Sequence, residues 1–137
     1  MVFAERFDLP LHLGVTEAGP LADGVVKSTL ALSKLLESGV GDTVRVSLSD
    51  SPEQEILAAR AILRHAGIRR LGVDIVSCPT CGRTEIDVTG FLDRIGEYLN
   101  TLDKDVTIAV MGCPVNGPGE ARSADLGITG SRGRAVI

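Results

Sequence analysis

Thr43-Val44-Arg45-Val46-Ser47-Leu48-Ser49-Asp50-Ser51-Pro52-Glu53-Gln54 passes from a strand into a helix, and that passage decides the fold. Its first half alternates at period two, as a half-buried strand does. In its second half Ser51 supplies a cap, Pro52 suits the first helical position, and Gln54 completes a capping box. Ile56, Leu57, Ile62, Leu63 and Ala66 then give an apolar helix face, and Gly67 ends it.

The same strand-then-helix grammar extends in both directions. Toward the N-terminus, Leu11-His12-Leu13-Gly14-Val15 reads as a strand between Pro10 and the turn-prone Glu17-Ala18-Gly19-Pro20. A helix follows over Val25–Ser38, with Val25, Leu32, Leu35 and Leu36 near one face and Gly39 as its stop. Toward the C-terminus, a strand over Leu71–Val76 runs into Cys78. A helix over Asp87–Leu102 carries Val88, Phe91, Leu92, Ile95 and Leu99 on one side. Gly90 and Gly96 weaken it by roughly 1 kcal/mol each relative to Ala. Val106–Met111 is a strand leading to Cys113, and Leu126–Thr129 is a fifth. The alternation predicts an α/β fold with largely parallel strands. Both cysteine-bearing loops then fall at C-terminal strand ends, where open α/β sheets place ligands. A boundary is expected near Gly67-Ile68-Arg69-Arg70, separating residues 1–66 from 67–137. No internal repeat or low-complexity segment stands out.

Composition narrows the function classes. The 137 residues suffice for one ordinary domain or two incomplete ones, and 44% apolar content suits a folded chain. A net charge of −4 argues against nucleic acid or an anionic membrane as principal partner, and 3% aromatic residues leave few base-stacking platforms. Charged residues or glycine interrupt every apolar run short of membrane-spanning length, and the first residues, Met1-Val2-Phe3-Ala4-Glu5-Arg6, do not read as a signal peptide. Three cysteines cannot close into a disulfide framework, so metal binding or redox chemistry in a reducing compartment, the cytoplasm, is expected.

Cys78-Pro79-Thr80-Cys81 is a C-x-x-C just after a strand, and Cys113 opens Cys113-Pro114-Val115-Asn116-Gly117-Pro118-Gly119-Glu120. Iron–sulfur clusters take soft thiolates from loops, and C-x-x-C brings two of them to one cluster. Three thiolates leave one iron for another ligand, and Glu120, on the same loop as Cys113, is the oxygen candidate. Alternatives stand beside this reading. A thioredoxin-like pair would open a helix, whereas Gly82-Arg83-Thr84 follows here. A structural zinc site wants a fourth Cys or His, and neither His12 nor His65 forms a ligand-spaced pair. Inert buried thiols are the third alternative.

Four blocks together resemble, in order and interval, the 4-hydroxy-3-methylbut-2-enyl diphosphate synthase family: residues 11–19 (Leu11 to Gly19), 41–48 (Gly41 to Leu48), 78–83 (Cys78 to Arg83) and 111–120 (Met111 to Glu120). The resemblance implies the last strand–helix units of a TIM barrel followed by a small α/β iron–sulfur domain, both incomplete relative to the family, whose members extend beyond the segment near Thr129. It implies a [4Fe-4S] cluster held by Cys78, Cys81, Cys113 and Glu120. It further implies reductive opening of a cyclodiphosphate substrate in isoprenoid biosynthesis, with flavodoxin or ferredoxin as electron donor. A homodimer, or a chain supplying the rest of the barrel, is the implied assembly. Glu17 resembles the family's substrate-facing glutamate and Ser47 its diphosphate-binding serine, with His12, Arg45, Lys27 and Asn116 as further pocket candidates. Pro114 departs from the branched apolar residue often found there. Beside these stand plainer readings: a solvated Glu17, a strand-end hydroxyl at Ser47, and a catalytically silent iron–sulfur, zinc or electron-transfer module.

Overall fold

Strand and helix alternate as the sequence suggests, in a computed structural model that describes residues 2–70 and 72–137. Met1, which opens the segment that does not read as a signal peptide, and Leu71, where the third strand was expected to begin, lie outside the described residues. The chain divides into two compact units, Met1–Arg70 and Leu71–Ile137.

In the first unit a short helix α1 (Val2–Arg6) precedes strand β1 (His12–Val15), helix α2 (Leu21–Glu37), strand β2 (Thr43–Val46) and helix α3 (Pro52–His65). The two strands pair in parallel, His12 with Thr43 through Val15 with Val46. Helices α2 and α3 pack against this sheet around Leu32, Leu36, Val46, Ala58 and Ile62. Helix α2 begins earlier than expected, at Leu21, because its buried ridge runs Gly24, Ser28, Leu32, Leu36, one residue in four, and the small Gly24 lets the first turn approach Leu48. Ile56, expected on the core face of α3, is 59% exposed; Ala58 and Ile62 take the buried positions. Ser51 does cap α3, accepting the Gln54 N–H.

Both helix ends are closed by glycine in the left-handed region, Gly39 at φ 73° and Gly67 at φ 71°. The Gly39 and Val40 N–H groups return to Leu36 and Leu35 carbonyls, and those of Gly67 and Ile68 return to Arg64 and Leu63. These paired returns satisfy carbonyls that a helix end otherwise leaves open.

The second unit contains β3 (Val73–Ser77), α4 (Val88–Asn100), β4 (Val106–Met111), a single-turn α5 (Gly117–Glu120), a 3-10 turn over Ala121–Ser123, β5 (Leu126–Ser131) and β6 (Arg134–Val136). The sheet order is β3-β4-β5-β6, parallel except for β6, which returns antiparallel on β5. That last strand and the helical turn at Gly117–Glu120 carry no apolar periodicity and were not anticipated. Val88 and Leu99 of α4 close a core with Val73, Ile108, Val110 and Ile128. Asp87 caps α4 through its carboxylate to the Gly90 N–H at 2.9 Å, which explains the glycine: a side chain there would collide with the cap.

Candidate metal centre

The loops that follow β3 and β4 leave the sheet at the same end, because the two strands are parallel and in register, Ser77 beside Val110. Cys78 stands one residue beyond β3, and Cys113 two beyond β4. Cys78, Cys81, Cys113, Asn116 and Glu120 all line one cavity of about 340 Å³, whose wall also includes Arg83 and Thr84. Cys113 is buried, Cys78 partly so, and Cys81 lies exposed at the rim.

Main-chain hydrogen bonds fix these loops. The Cys78 N–H donates to the Val110 carbonyl, and the Glu85 N–H to the Gly112 carbonyl at 2.7 Å, tying the two cysteine segments together. In return the Gly112 N–H donates to Cys78 Sγ at 3.1 Å. Gly112 is obligatory here, since a Cβ would lie 2.6 Å from Thr84 Cγ2. Gly130 presses on the Gly112 carbonyl from β5, leaving no room for a side chain at that position either.

Electrostatics favour thiolates. The Arg83 main-chain N–H, followed by its guanidinium, draws the Cys81 thiol below its ordinary range against the opposing effect of desolvation. Cys113 is drawn down by the N–H groups of Asn116 and Val115, again outweighing desolvation. A thiolate is the form that binds metal. Thr80, between the two loop cysteines, takes φ 47°, a strained conformation for a β-branched residue. The surrounding loop therefore holds this turn in place.

The remaining candidates belong to the first unit. Glu17 lies just past β1 at φ 59°, and Ser47 just past β2, so both stand at the C-terminal end of the two-stranded sheet. Residues alternate across that sheet: Leu13, Val44 and Val46 face the helices, while His12, Thr16 and Arg45 lie on the exposed side. There Arg45 Nη2 donates to Thr16 Oγ1 at 3.1 Å, and His12 Nδ1 lies 2.8 Å from Thr43 Oγ1. His12 is thus at the opposite, N-terminal end of β1 from Glu17. Lys27 Nζ donates to the Ala18 carbonyl at 3.0 Å, gripping the turn that carries Glu17. Sequence reasoning gave no role to Arg83 or Thr84; only their position directly after the C-x-x-C could have drawn attention to them.

Comparison with known proteins covers both units. The GcpE TIM-barrel domain matches residues 1–60 and the GcpE protein C-terminal domain matches residues 74–137. A protein of Treponema pallidum (strain Nichols), named 4-hydroxy-3-methylbut-2-en-1-yl diphosphate synthase (flavodoxin), is 59% identical over 99% of this chain and 34% of its own length. Proteins of the same name from Treponema denticola and Thermodesulfovibrio yellowstonii are 56% and 48% identical, with 35% and 39% of their own lengths matched. The chain thus spans little more than a third of the curated relatives it matches.

Proposed function

The chain belongs to the GcpE family, and from that premise we propose that it is the cluster-bearing part of a 4-hydroxy-3-methylbut-2-en-1-yl diphosphate synthase. In this reading the whole enzyme takes 2-C-methyl-D-erythritol 2,4-cyclodiphosphate to 4-hydroxy-3-methylbut-2-enyl diphosphate. The reaction is a two-electron reductive ring opening with loss of water, in the cytoplasm, with flavodoxin as donor. Residues 1–66 belong to the end of the barrel and 67–137 to the cluster domain. The observation that carries the reading is the convergence of Cys78, Cys81, Cys113 and Glu120 on one cavity wall.

The donor set suits a [4Fe-4S] cluster. Three soft thiols and one carboxylate match four corners, and N–H groups already directed at Cys78 and Cys113 are what iron-bound thiolates accept. A single zinc ion would draw its sulfurs to within about 4 Å of one another. Cys78, Cys81, Cys113 and Glu120 line one cavity of about 340 Å³, room for a group larger than a single ion.

When bound, the cluster supplies electrons one at a time. Cys78, Cys81 and Cys113 would hold it through sulfur, and Glu120 would supply a carboxylate oxygen, a harder donor less suited to soft iron than a thiolate. Asn116, on the same loop, orients what enters the cavity. Glu17 Oε delivers the proton that lets the substrate oxygen leave as water. Ser47 Oγ donates to the diphosphate, and the Arg45 guanidinium supplies positive charge beside it. Lys27, engaged with the Ala18 carbonyl, acts by holding the Glu17 turn rather than by touching substrate. His12 has the least direct part, at the far end of its strand.

Barrel active sites are built from loops of many strands, so the 137-residue chain by itself holds the cluster without turnover and needs a homodimer partner or the rest of the barrel. Anaerobic reconstitution of the chain should yield iron and acid-labile sulfide in equal amounts. Glu120→Ser should retain the sulfur-ligated cluster yet alter its electron paramagnetic resonance spectrum; an unchanged spectrum removes Glu120 from the ligand set. Zinc taken up without sulfide would instead favour a structural metal module.

A further inference from the structure

Among the described residues, Arg83 is the one positively charged side chain on the wall of the cysteine cavity. Local structure places it there. Residues 81–84 form a turn closed by the Thr84 N–H, which donates to the Cys81 carbonyl at 2.9 Å. The next link, from the Glu85 N–H to the Gly112 carbonyl at 2.7 Å, ties that turn to the segment carrying Cys113. Neighbours in the turn take opposite places. Thr84 packs against the space that Gly112 leaves, its hydroxyl buried without a partner among the described residues. Arg83 is exposed and lines the cavity together with Cys81. Its main-chain N–H, and after it the guanidinium, act on the Cys81 sulfur. The other charged side chain on that wall, among the described residues, is Glu120, itself a proposed ligand. Arg83 is therefore the opposite charge that this wall offers to an anionic occupant.

Resting on the cluster reading above, we propose that Arg83 sets the reduction potential of the bound cluster, its guanidinium stabilising the reduced state from beside the Cys81 sulfur. The sign follows from charge. Three thiolates and a carboxylate leave the occupant of this site negatively charged, and an added electron makes it more so. A fixed positive charge beside a ligand sulfur favours the reduced form, and removing it lowers the potential. Arg83 acts through a ligand of the cluster and does not touch substrate. Arg83→Met keeps much of the stem and removes the charge; Arg83→Lys keeps the charge on a different head group.

The reconstituted 137-residue chain and its variants would be compared by iron and sulfide analysis and by potentiometric titration followed by electron paramagnetic resonance. Arg83→Met should be reduced about tenfold less favourably, a midpoint lower by about 59 mV for one electron. Arg83→Lys should lie closer to the parent than to Arg83→Met. If Arg83→Met assembles no cluster, Arg83→Gln, neutral but still a hydrogen-bond donor, takes its place with the same expected shift. A neutral variant with the parent's midpoint overturns the proposal. So does an equal shift in Arg83→Lys, which would mark guanidinium packing rather than charge, and so does cluster loss from all three variants, which would mark a need in assembly. If the parent chain takes up no sulfide, the cluster reading falls and this proposal with it; if its cluster assembles and only the expected shift is missing, Arg83 alone is wrongly assigned.

Discussion

Arg83 decides the chemistry of Cys81, an exposed thiol whose acidity comes from a neighbour two residues on rather than from burial. Alkylation follows the thiolate, and an ordinary cysteine titrates at about 8.5. In the cluster-free chain, the pH midpoint for iodoacetamide modification of Cys81 should lie below that value. Arg83→Met should raise it part of the way back, since the main-chain N–H remains and the guanidinium is lost. Identical profiles would show that the guanidinium contributes nothing. The sign for stability follows: a thiol more acidic when folded contributes above its unfolded pKa, and that contribution is lost as pH falls through the folded value. Backbone strain singles out the same neighbourhoods. Glu17, Thr80 and Arg132 are the non-glycine residues at positive φ among those described. The first is the proposed proton donor, and the second lies between two proposed ligands.

Elements are bounded by capping chemistry more than by propensity. Gly39 closes α2 at φ 73°, and a Cβ there would meet nothing within 4 Å, so the cost of a side chain is purely conformational. Gly39→Ala should therefore lower stability by about 1 kcal/mol, read as a lower urea midpoint at unchanged slope. A neutral result would mean that the returns to Leu35 and Leu36 persist without the left-handed residue. Gly130 is a different case. There a side chain would run into the Gly112 carbonyl, so the element boundary and the cysteine loop constrain each other directly.

Taken as a whole, each unit has its own core, but they differ in how their sheets are finished. Among the described residues the second unit has a four-stranded sheet, whereas the first has two strands, each paired on a single side. Helix residues Val26, Leu30 and Ile56 are 58%, 72% and 59% exposed. Unpaired strand edges and solvated apolar side chains are places where another chain adds. The purified chain should accordingly self-associate, with sedimentation velocity at micromolar concentration showing species heavier than 14.4 kDa. A strictly monomeric profile would mean that the two-stranded sheet tolerates solvent without a covering surface.

The sequence by itself determined the alternation of the main strands and helices and the residues to be weighed as a site. Period-two and helical patterns, the Ser51 cap and the stops at Gly39 and Gly67 are local signals, so they survive in one dimension. The cysteines and Glu120 were singled out by spacing and a family resemblance, and the structure brings all four to one cavity wall. Tertiary structure decided what depends on approach. The early start of α2 at Leu21, which the small Gly24 permits, the exposure of Ile56, the added strand β6, the Lys27 grip on Ala18 and the unpartnered Thr84 hydroxyl all arise between residues distant along the chain or between separate elements. No periodicity encodes such contacts, because they exist only once parallel strands have set their loops side by side.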